Sequence, residues 1–314
     1  MNIFITGGNG FIGYALVTEF LNQNHCVIVM DLIPYKKSKF CNYFFTTSNF
    51  LYIEQKVNDL SWVDNPALVN VDLFIHLAAQ TSSRVSEENP ELDINTNLFG
   101  GYCAARFIEK QTPKMTIFSS SMAVYEVTKR KINEDFKLLP SSLYGVTKVA
   151  TENIFEKLSR NGHNITVLRL FNVYGPGQDY RNMIQGMLSI YLAQAIIDKN
   201  IYVTGGLNRY RDFIYIDDIV NIFNRVIEIS PNGFNVFNVG TGKKTSVKDL
   251  IALIISSLKD SDITIEEGPS HPGDVFGTYS DSSKALEILE WKPLVDLNTG
   301  IKKTVIDAKK FLQR

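Results

Sequence analysis

A glycine-rich stretch near the N-terminus restricts the fold of this chain more than any other feature. The stretch "FITGGNGFIGYAL" contains an apolar strand, a glycine turn and the start of a helix. Gly7, Gly10 and Gly13 have the spacing at which a backbone turns tightly, approaches a pyrophosphate and packs a helix on a sheet. Gly8, Gly10 and Gly13 also satisfy the G-x-G-x-x-G spacing, so the register stays open. The motif predicts a helix N-terminus that faces phosphate.

An acidic residue follows where a dinucleotide site requires one. The next apolar run, "CVIVMD", ends at Asp31. A carboxylate at the end of this second strand accepts hydrogen bonds from the ribose hydroxyls of NAD and repels the additional phosphate of NADP. A purely structural glycine turn is the alternative, but strand, turn, helix and terminal acid occur here in the required order. We therefore predict that NAD is the cofactor.

Short apolar runs alternate with helix-length amphipathic segments through the first half of the chain. Such alternation is typical of a parallel sheet with helices on both faces. We predict an α/β fold with a Rossmann-type doubly wound parallel sheet and a smaller α/β C-terminal cap that binds substrate. The predicted strands are residues 2–6, 26–31, 50–54, 71–79, 114–121 and 165–175.

The second half of the chain has a less regular rhythm of short strands, loops and helices. No linker rich in Pro, Gly or Ser separates the two halves. We expect an NAD-binding region at residues 1–175 that includes the catalytic residues, and a substrate-binding region at 176–314 that interleaves with it. Helices of the second half are predicted at about residues 182–198, 217–229, 246–259 and 283–290.

Composition excludes several other classes of protein. The 314 residues include 32 Lys and Arg against 33 Asp and Glu, so the chain lacks the basic field that holds nucleic acid. Its three cysteines are widely spaced, which predicts neither a disulfide framework nor a metal site. No apolar run approaches the ~20 residues of a membrane span, and the N-terminus lacks the basic start of a signal peptide. We expect a cytoplasmic protein without a membrane or nucleic-acid partner.

A tyrosine and a lysine lie four residues apart in the helical segment "PSSLYGVTKVATENIF". Tyr144 and Lys148 share one helix face, which brings the ammonium near the phenol. Tyrosine, with a pKa of about 10, is a poor base at neutral pH, but a neighbouring positive charge stabilises its phenolate. An ordinary exposed pair is the alternative, because Y-x-x-x-K is common by chance. Other residues have to decide between the two.

Several motifs in register resemble the extended short-chain dehydrogenase/reductase family, in particular its NAD-dependent nucleotide-sugar epimerases of the UDP-hexose 4-epimerase type. The resemblance covers the whole chain. It implies a catalytic set of Ser121, Tyr144 and Lys148, in which Ser121 hydrogen-bonds the sugar hydroxyl. Taken alone, Ser121 could simply cap a turn. The motifs are "TGGNGFIG", "HLAA", "FSSSMAVY", "YGVTK", "RLFNVYGPGQ", "RDFIYIDDI" and "HPGDVFGTYSDSSKALEILEWKP".

The resemblance also implies cofactor contacts outside the catalytic set. Asp59 and Leu60 match the pair beside the adenine, and Asn97 matches a contact near the ribose. Taken alone, Asp59 could be a turn residue and Asn97 a helix-surface amide. The remaining implied cofactor contacts are Gly7, Gly10, Phe11, Ile12, Gly13, Leu77, Ala78, Ala79 and Phe171.

On the substrate side, the resemblance assigns Asn172 and Arg211 to the sugar diphosphate, and a guanidinium fork suits phosphate oxygens. Arg211 could instead pair with Asp212 or Asp217. Asp274 would bind a ribose hydroxyl of the substrate nucleoside. The other implied substrate contacts are Ser121, Met122, Ala123, Tyr144, His271 and Thr278.

Two positions depart from the family pattern. His271 replaces the usual arginine before "PGD", so diphosphate binding should be weaker or more dependent on pH. Glu126 replaces the glycine that usually follows the tyrosine of "SSMAVY". A further carboxylate near an anionic substrate is unfavourable unless it points to solvent.

The implied reaction is a transient oxidation at C4 of a UDP-hexose. Tyr144 removes the proton of the 4-hydroxyl as the hydride passes to NAD, and the 4-keto sugar rotates before the hydride returns to its other face. The resemblance puts Thr278 near the position that limits a C2 substituent, and threonine is intermediate to small. We therefore expect UDP-GlcNAc/UDP-GalNAc, UDP-Glc/UDP-Gal, or both.

Three other functions remain possible: a reductase, a 4,6-dehydratase and a non-catalytic NAD-binding module. Met122 and Ala123 stand where a dehydratase of the superfamily has its acidic pair, which argues against that reaction. The presence of all three catalytic residues disfavours a non-catalytic module. Residues 93–110 and 145–159 resemble the helices through which family members form homodimers, so a homodimer is expected.

Overall fold

The computed structural model describes residues 1–41, 48–269 and 276–313 of the chain. A π-helical segment, Ile94–Phe99, precedes the fourth helix. None of the helices in the described part of the chain has the length and apolar character needed to cross a bilayer. The strands are β1 (Asn2–Thr6), β2 (Cys26–Asp31), β3 (Phe50–Glu54), β4 (Leu73–His76), β5 (Met115–Ser121), β6 (Lys131–Ile132), β7 (Ile165–Leu170), β8 (Asn172–Tyr174), β9 (Asn200–Thr204), β10 (Tyr210–Arg211), β11 (Phe213–Tyr215), β12 (Phe234–Val239), β13 (Thr245–Ser246), β14 (Thr264–Gly268) and β15 (Tyr279–Ser280). The helices are α1 (Phe11–Asn22), α2 (Ser83–Glu88), α3 (Pro90–Asp93), α4 (Gly100–Gln111), α5 (Leu143–Arg160), α6 (Met187–Ile197), α7 (Ile216–Ile229), α8 (Val247–Leu258), α9 (Ser283–Leu289) and α10 (Leu297–Leu312).

A central sheet organises the described residues and confirms the predicted fold class. Seven strands in this part of the chain lie in the order β12-β7-β5-β4-β1-β2-β3. β1 pairs in parallel with β2 on one side and with β4 on the other, and β2–β3 and β4–β5 are also parallel. The order of connection reverses between β1 and β4. In such sheets ligands bind at the carboxyl ends of the two strands beside the reversal, so the glycine turn after β1 lies where a cofactor is expected.

Four large aromatic side chains form the centre of the core beneath this edge. Phe4 of β1, Phe74 of β4 and Phe107 of α4 have ring centroids 4.8 to 5.2 Å apart. Trp62 packs 5.7 Å from Phe4, and all four side chains are fully buried. The contacts join the two strands beside the switch point to the helix that covers them. The carboxyl ends of β1 and β4 therefore rest on a close-packed base.

The strand predicted at residues 165–175 is two strands in the structure. The break is at Phe171, whose N–H donates to Val239 O at 3.0 Å, whereas the next N–H, of Asn172, donates to Asp212 O at 3.0 Å. The chain thus leaves the central sheet and joins β11 within one residue. Both halves are apolar, so periodicity cannot reveal a change of partner. The strand predicted at residues 71–79 is also shorter, Leu73–His76.

The seventh strand of the central sheet comes from the second half of the chain. The segment "FNVFNVGTG" reads as a short strand or loop, yet it supplies β12 at the edge of the sheet beside β7. Ile165 N–H donates to Gly233 O at 2.9 Å and anchors the start of this pairing. Pairing between strands this distant in sequence depends on tertiary structure, which local propensity does not report.

The described residues divide into two compact units. The first contains Met1–Val124, Ser142–Arg169 and Phe223–Phe237. The second contains Tyr125–Ser141, Leu170–Ile222 and Asn238–Arg314, of which residues 270–275 and 314 lie outside the described ranges. The proposed division of labour between a cofactor region at residues 1–175 and a substrate region at 176–314 stays a prediction.

Replacing Ile108 by alanine should test the core around the aromatic cluster. Ile108 is fully buried in α4, so Ile108→Ala should lower the free energy of unfolding by about 2–5 kcal/mol through lost burial and a residual cavity. Ile306 of α10 is 57% exposed and offers a matched control whose alanine variant should change stability by no more than about 0.5 kcal/mol. Urea unfolding would measure both. Equal effects at the two positions would contradict the assigned core.

Candidate active site

The glycine turn after β1 lies directly against the backbone that follows β4. Gly7 has a φ of +73°, a left-handed conformation that favours glycine, and its N–H donates to Met30 O at 2.8 Å. A Cβ on Gly7 would lie 2.7 Å from Ala78 N, and one on Gly13 would collide with Gly7 O. Side chains at these two positions are therefore excluded by backbone atoms. The observed cradle fits the close approach of a pyrophosphate.

The start of α1 is open to an anionic ligand. Gly10 is its N-cap residue and no side chain caps the helix there, while Tyr14 N–H donates to Gly10 O at 3.0 Å. Phe11 and Ile12 occupy the first turn and are half-buried. Backbone N–H groups of an uncapped first turn, together with the positive end of the helix dipole, suit a phosphate.

Asp31 ends β2 beside the glycine turn, as predicted. One carboxylate oxygen accepts the Asn9 N–H at 3.0 Å and the other accepts the Ile33 N–H at 3.1 Å. A carboxylate has about four acceptor positions, so these two bonds orient the group and still leave capacity for two ribose hydroxyls. The remaining acceptor positions of Asp31 therefore fit the ribose hydroxyls in the adenosine half of NAD.

The two residues predicted beside the adenine lie at the surface. Asp59 caps the short helical turn that begins at Leu60, and it accepts the Ser61 N–H at 3.0 Å and the Ser61 hydroxyl at 2.7 Å. These bonds lower the pKa of Asp59 below its usual value. Leu60 is exposed. Asp59 thus has the structural role of a turn residue, and it also lines a surface depression with Leu32, Glu54, Gln55 and Lys56.

The backbone of Leu77, Ala78 and Ala79 runs past the end of β1. Leu77 N–H donates to Thr6 O at 3.1 Å, and Ala78 N–H donates to the Thr6 hydroxyl at 3.4 Å. All three residues are half-buried. Together with the contact to the glycine turn, these bonds hold the segment where a wall beneath a cofactor is expected.

Asn97 lies in the protein interior rather than on a helix surface. It is only 4% exposed, its amide oxygen accepts the Gln80 N–H at 2.8 Å, and its NH2 group donates to Gln80 O and to Asp93. Asp93 is fully buried and also accepts the Thr147 hydroxyl of α5 at 2.9 Å. Asn97 and Asp93 therefore fasten the segment after β4 to α5, while direct contact of Asn97 with a ribose stays a prediction.

Sequence reasoning missed Asp93 and its partners Gln80 and Thr147. Each is a common polar residue in a segment that reads as an ordinary helix or loop. The available signal was an acid placed among apolar residues of a segment expected to pack on the sheet, since an unpaired buried carboxylate is costly. The structure shows that hydrogen bonds satisfy it.

Hydrogen bonds hold the backbone at the start of α5, where Tyr144 is the second residue of the helix. The Ser142 hydroxyl caps the helix by accepting the Gly145 N–H at 3.3 Å. Leu143 N–H donates to Glu87 at 2.9 Å, and Tyr144 N–H donates to the Ser86 hydroxyl at 3.1 Å, both on α2. The backbone that positions the phenol is therefore held by the helix cap and by a neighbouring helix.

Ser121, Tyr144 and Lys148 lie together at the carboxyl end of β5. Burial raises the pKa of Tyr144 to about 12, and a hydrogen bond from the Ser121 hydroxyl opposes this rise. Lys148 Nζ lies 5.9 Å from the centroid of the Tyr144 ring and donates to Ser119 O at 2.9 Å. Burial lowers the pKa of Lys148 to about 8, against the opposing influence of Asp93 and Glu152. The alternative of an ordinary exposed pair is wrong, because both side chains are buried.

A buried ion pair lies one helical turn after Lys148 and supports this set. Glu152, one turn after Lys148, pairs with Arg169 of β7 through oxygen and nitrogen atoms 2.7 Å apart, and both side chains are about 95% buried. The Ser120 hydroxyl donates to the same carboxylate. The residue before Ser121 and the helix that contains Lys148 are therefore joined by buried hydrogen bonds.

The substrate-side residues of the second unit form their own group. Asn172 donates to Asp212 O, and the Arg211 guanidinium donates to Tyr210 O at 2.8 Å and Phe276 O at 3.3 Å. Asp212 accepts the Thr241 N–H at 2.8 Å, and Asp217 pairs with Lys303 at 3.7 Å, while the role of Arg211 stays a prediction. Thr278 is buried, as is Phe171.

Several assigned residues stay predictions. His271 and Asp274 lie outside the described residues. Met122 and Ala123 form a short helical turn of the first unit after β5, and Ala123 N–H donates to the Ser121 hydroxyl oxygen at 3.2 Å. This bond orients Ser121. Contact of any of these side chains with a sugar is not tested by the geometry.

The site combines a glycine cradle, an open helix N-terminus and Asp31 with Ser121 and the buried Tyr144 and Lys148, which is the arrangement of a dinucleotide-binding enzyme. A model of the NAD dependent epimerase/dehydratase family matches residues 3–240. A putative UDP-glucose 4-epimerase of Methanocaldococcus jannaschii is 31% identical over 306 residues, which cover 96% of this chain and 97% of that protein. A dTDP-4-dehydro-6-deoxyglucose reductase of Escherichia coli is 31% identical over 310 residues, which cover 96% of both chains.

A solved structure of a UDP-sugar epimerase is also similar to this chain over its whole length. The crystal structure of a UDP-glucose 4-epimerase of Thermotoga maritima with UDP-glucose has a TM-score of 0.90 and 32% identity, and the match covers 99% of this chain and 100% of that one. The chain belongs to the NAD dependent epimerase/dehydratase family. NAD is its cofactor, and the glycine turn, the start of α1 and Asp31 are the residues that would hold it.

The depressed pKa of Lys148 predicts that this residue lowers stability. Below pH 8 the ammonium is charged in both states and folding has to bury it, whereas above its ordinary pKa of 10.5 it is neutral in both. Lys148→Met should therefore raise the free energy of unfolding at pH 7 by about 1 kcal/mol or more, part of the gain being offset by the lost bond to Ser119 O. The gain should shrink as pH rises from 8 to 10.5.

Denaturant unfolding at a series of pH values would measure this gain. Lys302→Met, at an exposed position of α10, is the matched control and should show no such trend. A Lys148→Met protein that is less stable than the wild type at pH 7, with a difference that does not vary with pH, would contradict the assignment.

Proposed function

We propose that this protein is an NAD-dependent nucleotide-sugar 4-epimerase that interconverts UDP-hexoses through a transient 4-keto sugar. The observation that carries the proposal is the grouping of Ser121 with the buried Tyr144 and Lys148 within the unit that also holds the glycine cradle. Family membership supports it, as do the relatives and the solved structure that are 4-epimerases of UDP-glucose.

Each side chain of the set has a distinct task in this proposal. Ser121 holds the 4-hydroxyl of the sugar against Tyr144, and Tyr144 accepts its proton and later returns it. Bound NAD supplies a hydride acceptor and, in the second half of the reaction, the hydride donor. The hydride returns to the opposite face of C4, and Tyr144 returns its proton to the oxygen. The product is the C4 epimer, and no reductant is consumed over the cycle.

The positive charge of Lys148 makes the tyrosine usable as a base. A phenol with a pKa of about 12 is ionised to a negligible extent at neutral pH. With its own pKa of about 8, Lys148 is largely protonated at pH 7, so its ammonium stabilises the phenolate as it forms. The bond to Ser119 O keeps the ammonium close to the ring.

A cavity of the second unit supports the proposal that the nucleotide part of the substrate supplies most of the binding contacts. It has a volume of about 450 Å³, and its wall contains two cations, Arg209 and Lys248, one carboxylate, Glu267, and the ring of Phe276. Cationic side chains suit phosphate oxygens, and an aromatic ring suits the face of a base. In the proposal, this cavity and Arg211 hold the nucleoside diphosphate while the sugar rotates. Contacts from Asn172, His271 and Asp274 complete the same group.

The sugar is proposed to be a hexose with or without a C2 N-acetyl group. The threonine hydroxyl and methyl of Thr278 occupy less volume than an aromatic residue, which leaves room beside C2. We therefore propose UDP-GlcNAc/UDP-GalNAc and UDP-Glc/UDP-Gal as the substrate pairs. The relative rates of the two would measure how far Thr278 limits the site.

A reductase is the second candidate, favoured by the similarity to the dTDP-4-dehydro-6-deoxyglucose reductase. It would use the same Tyr144 and Lys148 but release oxidised cofactor in each cycle. The discriminating observation is stoichiometry. A reductase consumes one NADH for each 4-keto sugar, whereas the epimerase converts many substrate molecules with no added cofactor.

Replacing Tyr144 by phenylalanine should remove catalysis and leave the cofactor in place. Proton NMR of the purified protein with UDP-GlcNAc and UDP-Glc, each without added NAD, would follow the anomeric signals of the epimers. Tyr144→Phe should slow turnover by about 10²–10⁴-fold through loss of proton transfer. Its bound NAD, measured after release from the protein, should match the wild type.

The matched control is Tyr102→Phe, which removes the hydroxyl of a tyrosine that is 41% exposed. It should leave the rate unchanged. Epimer formation by Tyr144→Phe at the wild-type rate would remove Tyr144 from the mechanism. Conversion of a 4-keto sugar with one NADH consumed per molecule, without epimerisation of either UDP-hexose, would favour the reductase.

We further propose that the protein is a homodimer. Phe99, Tyr102 and Val146 are each more than 40% exposed on the segments that resemble family dimer helices. Light scattering at micromolar concentration should give the mass of two chains, and Phe99→Glu should shift it toward one because a charge would have to be buried. Ile306→Glu, on exposed α10, should leave the dimer intact. A monomeric wild type would contradict the proposal.

A further inference from the structure

Asp212 is a fully buried acid of the second unit for which catalysis gives no role. It lies between β10 and β11, directly after Arg211. An isolated buried carboxylate is unfavourable, so such a group persists where hydrogen bonds satisfy its charge. The hydrogen bonds of Asp212 therefore indicate its structural role.

Five neutral donors surround the Asp212 carboxylate. Thr241 donates through its N–H at 2.8 Å and its hydroxyl at 2.5 Å, both to Oδ1. Gly242 N–H at 2.9 Å, Ser280 N–H at 3.0 Å and the Ser280 hydroxyl at 2.7 Å donate to Oδ2. Only a carboxylate presents acceptors on both of these atoms. The NH2 group of an asparagine would face at least two donors.

The backbone carbonyl of Asp212 fixes a third segment. It accepts the Asn172 N–H at 3.0 Å and the Asn172 side-chain NH2 at 3.1 Å. The second bond sets the orientation of the amide, because its NH2 group must point toward Asp212. The backbone carbonyl of Asp212 therefore orients the Asn172 side chain beside the pairing of β8 with β11, and the carboxylate of the same residue fixes where that carbonyl lies.

Two other substrate-side residues belong to segments that meet at Asp212. Arg211 is its neighbour in the chain, and the Arg211 guanidinium donates to Phe276 O at 3.3 Å. Thr278 precedes Ser280 by two residues, and Ser280 donates both of its hydrogen bonds to Asp212. The segments that contain Asn172, Arg211 and Thr278 thus meet at Asp212. Its carbonyl contacts Asn172, its carboxylate contacts the segment of Thr278, and Arg211 precedes it in the chain.

We propose that Asp212 is the positioning residue of the substrate half. It holds Asn172, Arg211 and the segment of Thr278 in their binding arrangement before the nucleotide sugar arrives, which avoids the cost of ordering them on binding. This inference rests on the proposed nucleotide-sugar function. The negative charge itself would oppose an anionic diphosphate nearby, so the five hydrogen bonds are the physical reason for an acid at this position.

The test compares Asp212→Asn with Asp217→Asn in the NAD-loaded protein. Asp217 belongs to the same unit, and its side chain is 62% exposed, so its variant is a matched control. Isothermal titration with UDP should show a dissociation constant raised about tenfold or more for Asp212→Asn, since buried donors lose their acceptor. The KM for the UDP-hexose should rise in parallel. The kcat at saturation and the content of bound NAD should stay within about threefold of the wild type.

Two milder variants keep the test informative if Asp212→Asn does not fold. Thr241→Val removes one hydroxyl donor at nearly constant shape and should weaken UDP binding, whereas Thr241→Ser keeps the hydroxyl and should bind UDP as the wild type does. Unchanged UDP affinity in both Asp212→Asn and Thr241→Val would overturn the proposal, as would equal losses in Asp212→Asn and Asp217→Asn. A wild type that binds UDP without epimerising would refute only the proposed reaction, whereas one that does not bind UDP would refute both.

Discussion

The catalytic arrangement depends on the buried ammonium of Lys148. Its bond to Ser119 O ties α5 to the end of β5, and that link determines where Tyr144 stands relative to Ser121. Burial of a charge disfavours the folded state, as the depressed pKa of Lys148 indicates. Asp93, Glu152 and the carbonyl of Ser119 offset part of this cost, because they favour the charged ammonium. The Ser86 hydroxyl holds the backbone of Tyr144, so the proposed acid-base group lies on ordered elements.

Each of the two compact units contains a buried carboxylate that joins segments distant in sequence. In the first unit, Asp93 links the segment after β4 to α5 through Gln80, Asn97 and Thr147. In the second unit, Asp212 links the loop after β12 to β15. All of these donors are neutral, so the carboxylates act as multiple hydrogen-bond acceptors. Such groups specify one arrangement of loops more strictly than apolar contacts, because a shifted register would leave a charge unsatisfied.

Local features of the chain were predictable because their signals are local. β1, β2 and β3 begin and end where their apolar runs do, because strands of a parallel sheet are mostly apolar, even though β3 lies at the edge of the sheet and is only partly buried. The glycine spacing and Asp31 indicated the cofactor edge for a comparable reason, as each is a backbone or charge requirement of one short segment. The break at Phe171 could not be predicted in this way. Continuous apolar sequence lies on both sides of it, and only the partners, β12 for one side and β11 for the other, differ.

The amino-acid sequence alone determined the bounds of β1, β2 and β3, the glycine turn, the acid that ends β2 and the spacing that puts Tyr144 and Lys148 on one helix face. These properties depend on backbone geometry over a few residues and need no distant partner. Tertiary structure alone decided that the pair is buried, that Asn97 faces inward, and that Asp93 and Asp212 connect separate segments. Such contacts bring together distant groups, 54 residues apart for Asp93 and Thr147 and 68 apart for Asp212 and Ser280, and local sequence does not encode the desolvation that changes their chemistry.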